Sequence, residues 1–130
     1  MSEAPGQAGC RVRASELGGS LWRNNAGAFQ DRTGRWIRYG LGNESANLLR
    51  VWKPSDLIGI APGGRFWAVE VKHPDWTPTR LDEHETAQAL FHENVRALGG
   101  IGGFATCPED LERMLAAASP FGFHLPSGGR

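Results

Sequence analysis

The 130-residue chain is short of several things that would place it quickly. It has two cysteines, Cys10 and Cys107, far apart and in no Cys-x-x-Cys unit. A disulfide framework and a zinc knuckle are therefore not expected. No secretory-type leader is readable, and the expected compartment is the reducing cytoplasm. No apolar run approaches the ~20 residues that span a bilayer, so no membrane partner is expected. Excess charge is missing too: 14 Lys and Arg balance 14 Asp and Glu, for a net charge of +0 and a pI of about 6.9. That excludes the global basic field common among nucleic-acid binders, but not a local patch. Arg32, Arg35, Arg38, Arg50 and Lys53 bias one segment that way.

What is abundant is glycine, 18 residues, about twice the usual share. Many tight turns follow, rather than a long helical bundle. The length suits one domain with a single core. Its expected limits are residues 10–118, with a loose end over residues 1–9 and a Pro/Gly tail over 119–130 whose two Phe residues could dock on the core.

The informative stretch is Pro54 to Pro74. Two apolar runs, Leu57 to Ala61 and Phe66 to Val71, flank Pro62-Gly63-Gly64-Arg65, which predicts strand, turn, strand. Alternation along the second strand puts Phe66, Ala68, Glu70 and Lys72 on one face and Trp67, Val69 and Val71 on the other. Asp56 starts the first strand, beside the end of its partner, so it should approach Glu70. Two converging carboxylates repel unless a proton or a divalent cation lies between them, and a hard ion such as Mg²⁺ prefers such oxygen ligands. An adjoining lysine could then offset negative charge or orient a water. The plainer alternative is a solvated Glu-x-Lys pair on an edge strand.

These residues carry a resemblance. Ser55-Asp56, Leu-Ile-Gly-Ile, a Gly-rich turn and Val69-Glu70-Val71-Lys72 resemble the core of the PD-(D/E)xK nucleases, and more narrowly the small phage-type VRR-NUC proteins. Arg23-Asn24-Asn25 with Gly27 upstream, and Gln88 on a helix ending in Gly99-Gly100 downstream, follow the family's order from about Leu17 to Leu115. The resemblance implies a restriction-endonuclease-like α/β core, a mixed β-sheet flanked by helices. It also implies a Mg²⁺- or Mn²⁺-dependent DNA endonuclease, acting in a bacterial or phage-infected cell on branched, flap or junction DNA. Asp56, Glu70 and the Val71 carbonyl would hold the metal, with Glu16 of the first helix completing the site. Lys72 would position or activate a water, and Gln88 would support it. Arg23, Asn24, Asn25 and Ser55 would orient the DNA backbone, with Lys53 on one wall of the groove. A homodimer with two sites suits symmetric junctions. The competing reading is a nuclease-like fold that binds nucleic acid or a protein without cutting.

Several of these residues have ordinary readings beside the functional ones. Glu16 could be a solvated helix residue, Gln88 an exposed one, and the Asn pair simple turn formers. Trp76, in a Pro-rich loop, could stack on a base or cover the core. His84 and His92 read as surface residues or modest DNA contacts rather than zinc ligands.

Among the remaining elements, Cys10 to Leu17 predicts a short helix with Val12, Ala14 and Leu17 inward. Leu21-Trp22 predicts a strand, and Phe29 to Tyr39 a hairpin. A long loop follows from Gly40 to Asn47 and on to Trp52. Glu83 to Leu98 predicts a helix with Ala87, Phe91, Val95 and Leu98 on its buried stripe. Ile101 to Thr106 predicts a strand. Thr106 and Glu109 predict a capping box opening a last helix, with Leu111, Met114, Leu115 and Ala118 inward.

Overall fold

The structure is a computed structural model that describes residues 4–118; the tail and its two Phe residues lie outside that range. The chain folds into a mixed four-stranded sheet between helices. The first helix, α1, spans Ala4–Glu16 and leads into strand β1, Ser20–Arg23. A separate hairpin follows, β2 (Gly27–Gln30) with β3 (Trp36–Tyr39), and then a one-turn helix α2, Ala46–Leu49. Strands β4 (Leu57–Ile60) and β5 (Phe66–Val71), helix α3 (Glu83–Ala97), strand β6 (Ile101–Ala105) and helix α4 (Glu109–Ala117) complete the domain.

The sheet order is β1-β4-β5-β6, antiparallel at the first two junctions and parallel between β5 and β6, which α3 connects. Pro62 and Gly63 form the β4–β5 turn, where Gly63 (φ +93°) and Gly64 (φ +97°) take the left-handed backbone that glycine permits. Gly59 is required for a different reason. A Cβ there would stand 1.9 Å from the Ser20 carbonyl oxygen, so β1 and β4 pair only because that side chain is missing.

One face of the sheet is an apolar core. Leu21, Leu57, Trp67, Val69, Val71, Ile101 and Ala105 meet Cys10 and Ala14 of α1 and Leu111 and Leu115 of α4. Burial, and next the neighbouring Cys107, push the Cys10 thiol up to about 11, so it behaves as a small neutral apolar group. The other face carries α3, which buries Ala87, Gln88, His92 and Val95.

Five local expectations need correction. The first helix begins at Ala4 rather than Cys10, so the chain is ordered well inside the end expected to be loose. Gly6, Cys10 and Ala14 form a stripe of small residues, and Gly6 lies so close to β5 that a Cβ would be 3.0 Å from Val71 Cγ1. Gly6 and Gly9, read as part of a loose end, are contact points instead. Val12 is off that stripe and 60 % exposed. Leu98 caps α3 at 79 % exposure, because the buried stripe runs through Gln88 and His92 instead. The long loop contains α2, capped by the Ser45 hydroxyl accepting from Leu48 N–H at 3.0 Å. Thr106 is bonded by Asp110, not Glu109: its N–H and hydroxyl both donate to Asp110 Oδ2, at 2.8 and 3.1 Å.

Candidate active site

The β4–β5 register sets Leu57 opposite Val69, so one residue further Asp56 faces Glu70. Their contact is reciprocal. The Asp56 N–H donates to Glu70 Oε1 at 3.1 Å, and the Val71 N–H donates to Asp56 Oδ2 at 3.1 Å. Glu70 is 5 % exposed. Burial first, and then the Asp56 charge and a hydrogen bond to the Asp56 carboxyl, push it up to about 9. Without a cation Glu70 thus keeps its proton at neutral pH.

Around the pair lies an open cleft of about 540 Å³. Its lining includes Asn24, Arg38, Lys53, Ser55, Asp56, Glu70, Lys72, His84 and Gln88. Gln88, on the first half of α3, is 4 % exposed and its Oε1 accepts no hydrogen bond among the described residues. A buried amide oxygen without a donor costs free energy unless something positive meets it. The floor therefore offers two carboxylates and an unmatched amide oxygen, all hard oxygen donors of the kind Mg²⁺ and Mn²⁺ take.

Lys72 emerges two residues beyond Glu70 and is tightly held. Its Nζ is 3.4 Å from Glu85 Oε2, with side-chain exposures of 11 % and 16 % for the two partners. It also lies 5.8 Å from the Trp76 ring centre and 5.7 Å from that of Phe104. The same Glu85 oxygen accepts the Trp76 indole N–H at 2.8 Å, while Oε1 accepts the Asp82 N–H in the capping box that starts α3. One carboxylate therefore ties the lysine, the Pro-rich loop and a helix terminus together. Sequence reasoning missed Glu85. The Asp82-x-x-Glu85 pattern marks a helix start, but nothing local announces the meeting with Lys72.

Ser55 and His92 change role. Both are 1 % exposed and bonded to each other, Ser55 Oγ to His92 Nε2 at 2.8 Å. Burial, then the charges of Arg96 and Lys72, hold the imidazole down to about 3, so it is neutral. His92 is therefore no surface residue, and Ser55 is no direct backbone contact; the pair braces the segment just before Asp56 from beneath. His92 also meets the Phe104 ring edge-on at 4.9 Å.

Asn24 is a bracket. Its Oδ1 accepts the Leu41 N–H at 3.0 Å, its amide donates to the Ser55 carbonyl at 3.3 Å, and its own N–H donates to the Asp56 carbonyl at 2.7 Å. It orders the cleft wall rather than offering a free amide. Asn43, 5 % exposed and read only as loop, does the same for the hairpin base. It donates to the Gly27 and Tyr39 carbonyls at 2.7 and 2.8 Å and accepts from Arg38 at 2.8 Å.

Not every expected member reaches the cleft. Glu16 ends α1 beside the Ser20–Ile60 end of the sheet, opposite to Asp56. Its carboxylate accepts from Arg13 Nε at 2.9 Å, and the four residues of β4, Leu57–Ile60, separate that end from Asp56. Arg23 and Asn25 are exposed and outside the lining. Lys53 lines the cleft, its own N–H fixed on the Ala87 carbonyl at 3.0 Å. Val71 sends its side chain into the opposite core, so it is only its main-chain carbonyl that can serve the site. Trp76 packs on Phe104 with ring centres 4.7 Å apart, the core-covering alternative rather than a free stacking surface.

The chain matches no protein-family model, no curated protein and no solved structure. No helix among the described residues is long and apolar enough to cross a membrane.

Proposed function

We propose that this chain is a Mg²⁺- or Mn²⁺-dependent DNA endonuclease built on a restriction-endonuclease-like core of the PD-(D/E)xK type, close to the small VRR-NUC proteins. The observation that carries the reading is the convergence of Asp56 and Glu70, two residues from Lys72, on the floor of a cleft with cationic walls. A structural core has no use for a buried carboxyl pair that must retain a proton, beside an amide oxygen with no donor. Bound divalent charge satisfies all three groups.

In this reading Asp56 and Glu70 hold the ion, with the Val71 carbonyl a further ligand and Gln88 turned to the same place. The ion supplies a bound water of lowered pKa and charge to stabilise the phosphate. Lys72 brings a second positive charge to the phosphate oxygens. Lys53 and Arg38, which also line the cleft, suit the flanking DNA backbone. Asn24 and the Ser55–His92 pair fix the Asp56 backbone so that its carboxylate does not swing.

Purified protein should nick supercoiled plasmid with Mg²⁺ or Mn²⁺ and not with chelator. Glu70→Ala and Lys72→Ala should lose cutting while keeping the wild-type circular dichroism spectrum. Cutting that survives both substitutions would assign the activity elsewhere. Sedimentation with and without junction DNA tests the homodimer that two symmetric incisions would require; a monomer throughout removes it.

A further inference from the structure

The β2–β3 hairpin stands apart from the main sheet, pairing only with itself. Its register pairs Ala28 with Arg38 and Gln30 with Trp36, so these four share one face, while Gly27, Phe29, Ile37 and Tyr39 share the other. Ala28 and Arg38 line the cleft. Trp36 and Gln30 lie two residues further out on that same face, about 7 Å along the strand.

Trp36 is 63 % exposed, more than any other aromatic side chain among the described residues. The turn that carries it is firmly built. Asp31 Oδ1 accepts from the Thr33 N–H at 2.9 Å, the Thr33 hydroxyl at 2.7 Å and the Arg35 N–H at 3.0 Å, and Gln30 donates to the Gly34 carbonyl at 3.2 Å. At its base, Asn43 bonds both strands. Leaving a large indole on a rigid arm in water wastes apolar surface unless a flat apolar partner comes to it. The neighbouring Arg35, 76 % exposed and 3.7 Å from Asp31, alternates to the opposite face, so the cation that shares a face with Trp36 is Arg38.

We infer that this face of the hairpin is a stacking platform for unpaired nucleotides next to the scissile phosphate, with Trp36 receiving a base and Arg38, on the same face, towards the backbone. The inference rests on the nuclease reading and narrows its substrate to DNA with single-stranded character at the site. An indole stacks on any base and makes little use of a duplex, whose bases are already stacked. The face is continuous with the cleft floor through Arg38 and Ala28, so one strand can contact both.

The test is fluorescence anisotropy of a labelled 12-nucleotide single strand and the matched duplex, in chelator to prevent cutting. Trp36→Ala should weaken single-strand binding about ten-fold, the loss of one stacked base, and barely change duplex binding. Trp36→Phe should recover most of it. Phe29→Ala, on the opposite face, should bind like wild type. Equal single-strand affinity for Trp36→Ala and wild type overturns the inference, and so does an equal loss in Phe29→Ala, which would indicate hairpin folding rather than stacking. Plasmid nicking with no Trp36 effect would defeat this inference alone. Trp36-dependent binding by a protein that cuts nothing would support it and defeat the nuclease reading instead.

Discussion

Beyond the exposed Phe66, the side chains on both faces of β5 are buried, yet the two faces differ in what they meet. Trp67, Val69 and Val71 pack among apolar side chains from both α1 and α4, and the Trp67 indole N–H is the one buried polar side-chain atom there with no partner among the described residues. Ala68 and Glu70 lie under α3, which presents an amide and an imidazole that each keep a buried polar atom without a partner among the described residues. The first face is what a core needs. The second retains groups that folding alone would replace, which is how a site tuned for chemistry differs from a scaffold.

The sharpest way to separate the faces is to cut one residue from each. Trp67→Ala should cost about 3–5 kcal/mol of stability, measured by urea unfolding, because the space it leaves is walled by strands and helices that cannot collapse. Glu70→Gln, one ladder step away from Val69 and facing α3, should keep the fold and be at least as stable as wild type in chelator, yet lose cutting by about a hundred-fold or more. Equal destabilisation by both would erase the distinction.

Titration should divide the polar face further. Glu70 ionises near 9 in the folded protein against 4.5 ordinarily, so the native state binds its proton more tightly. Its contribution is complete below 4.5 and is lost as pH rises towards 9. His92 works the other way: held near 3 against 6.5, it contributes above 6.5 and loses that as pH falls. Thermal unfolding in chelator should therefore show stability rising from pH 3 to about 4.5, little slope to 6.5, and a decline to 9. Glu70→Gln should flatten the alkaline limb, and Mn²⁺ should do the same in wild type.

Smaller effects follow with distance from the carboxyl pair. Gln88→Ala should lower cutting about ten-fold, as removal of a ligand's neighbour does, without lowering the melting temperature by more than a few degrees. Glu16→Ala should leave cutting unchanged. A loss there comparable to Glu70→Ala would require α1 to reach the site.

Much of this was legible beforehand because it depends on period and proximity. The two apolar runs around Pro62-Gly63-Gly64 set the β4–β5 hairpin, and strand alternation then brings Asp56 to Glu70 and points Lys72 the same way. The mixed α/β layering follows from the order of strands and helices. What escaped are contacts between segments distant in sequence. Glu85 meets Lys72 only because α3 crosses over β5, and His92 reaches Ser55 for the same reason, so neither burial nor partner is written locally. The hairpin's aromatic residues read as ordinary strand formers, and Gly6 as part of a loose end before a short helix at Cys10, because exposure and close approach depend on the neighbours. Glu16 was placed by resemblance, and the register of β1 against β4 puts it at the wrong end.

The claim on which the rest depends is that Asp56 and Glu70 form a divalent-cation site. Isothermal titration of the purified chain with Mn²⁺ at pH 7.5 tests it most directly. The account predicts one site per chain, with proton release as Glu70 ionises, and no site in Asp56→Ala at unchanged fold. A wild-type chain that takes up no Mn²⁺, or an Asp56→Ala variant that binds it as tightly, would contradict it.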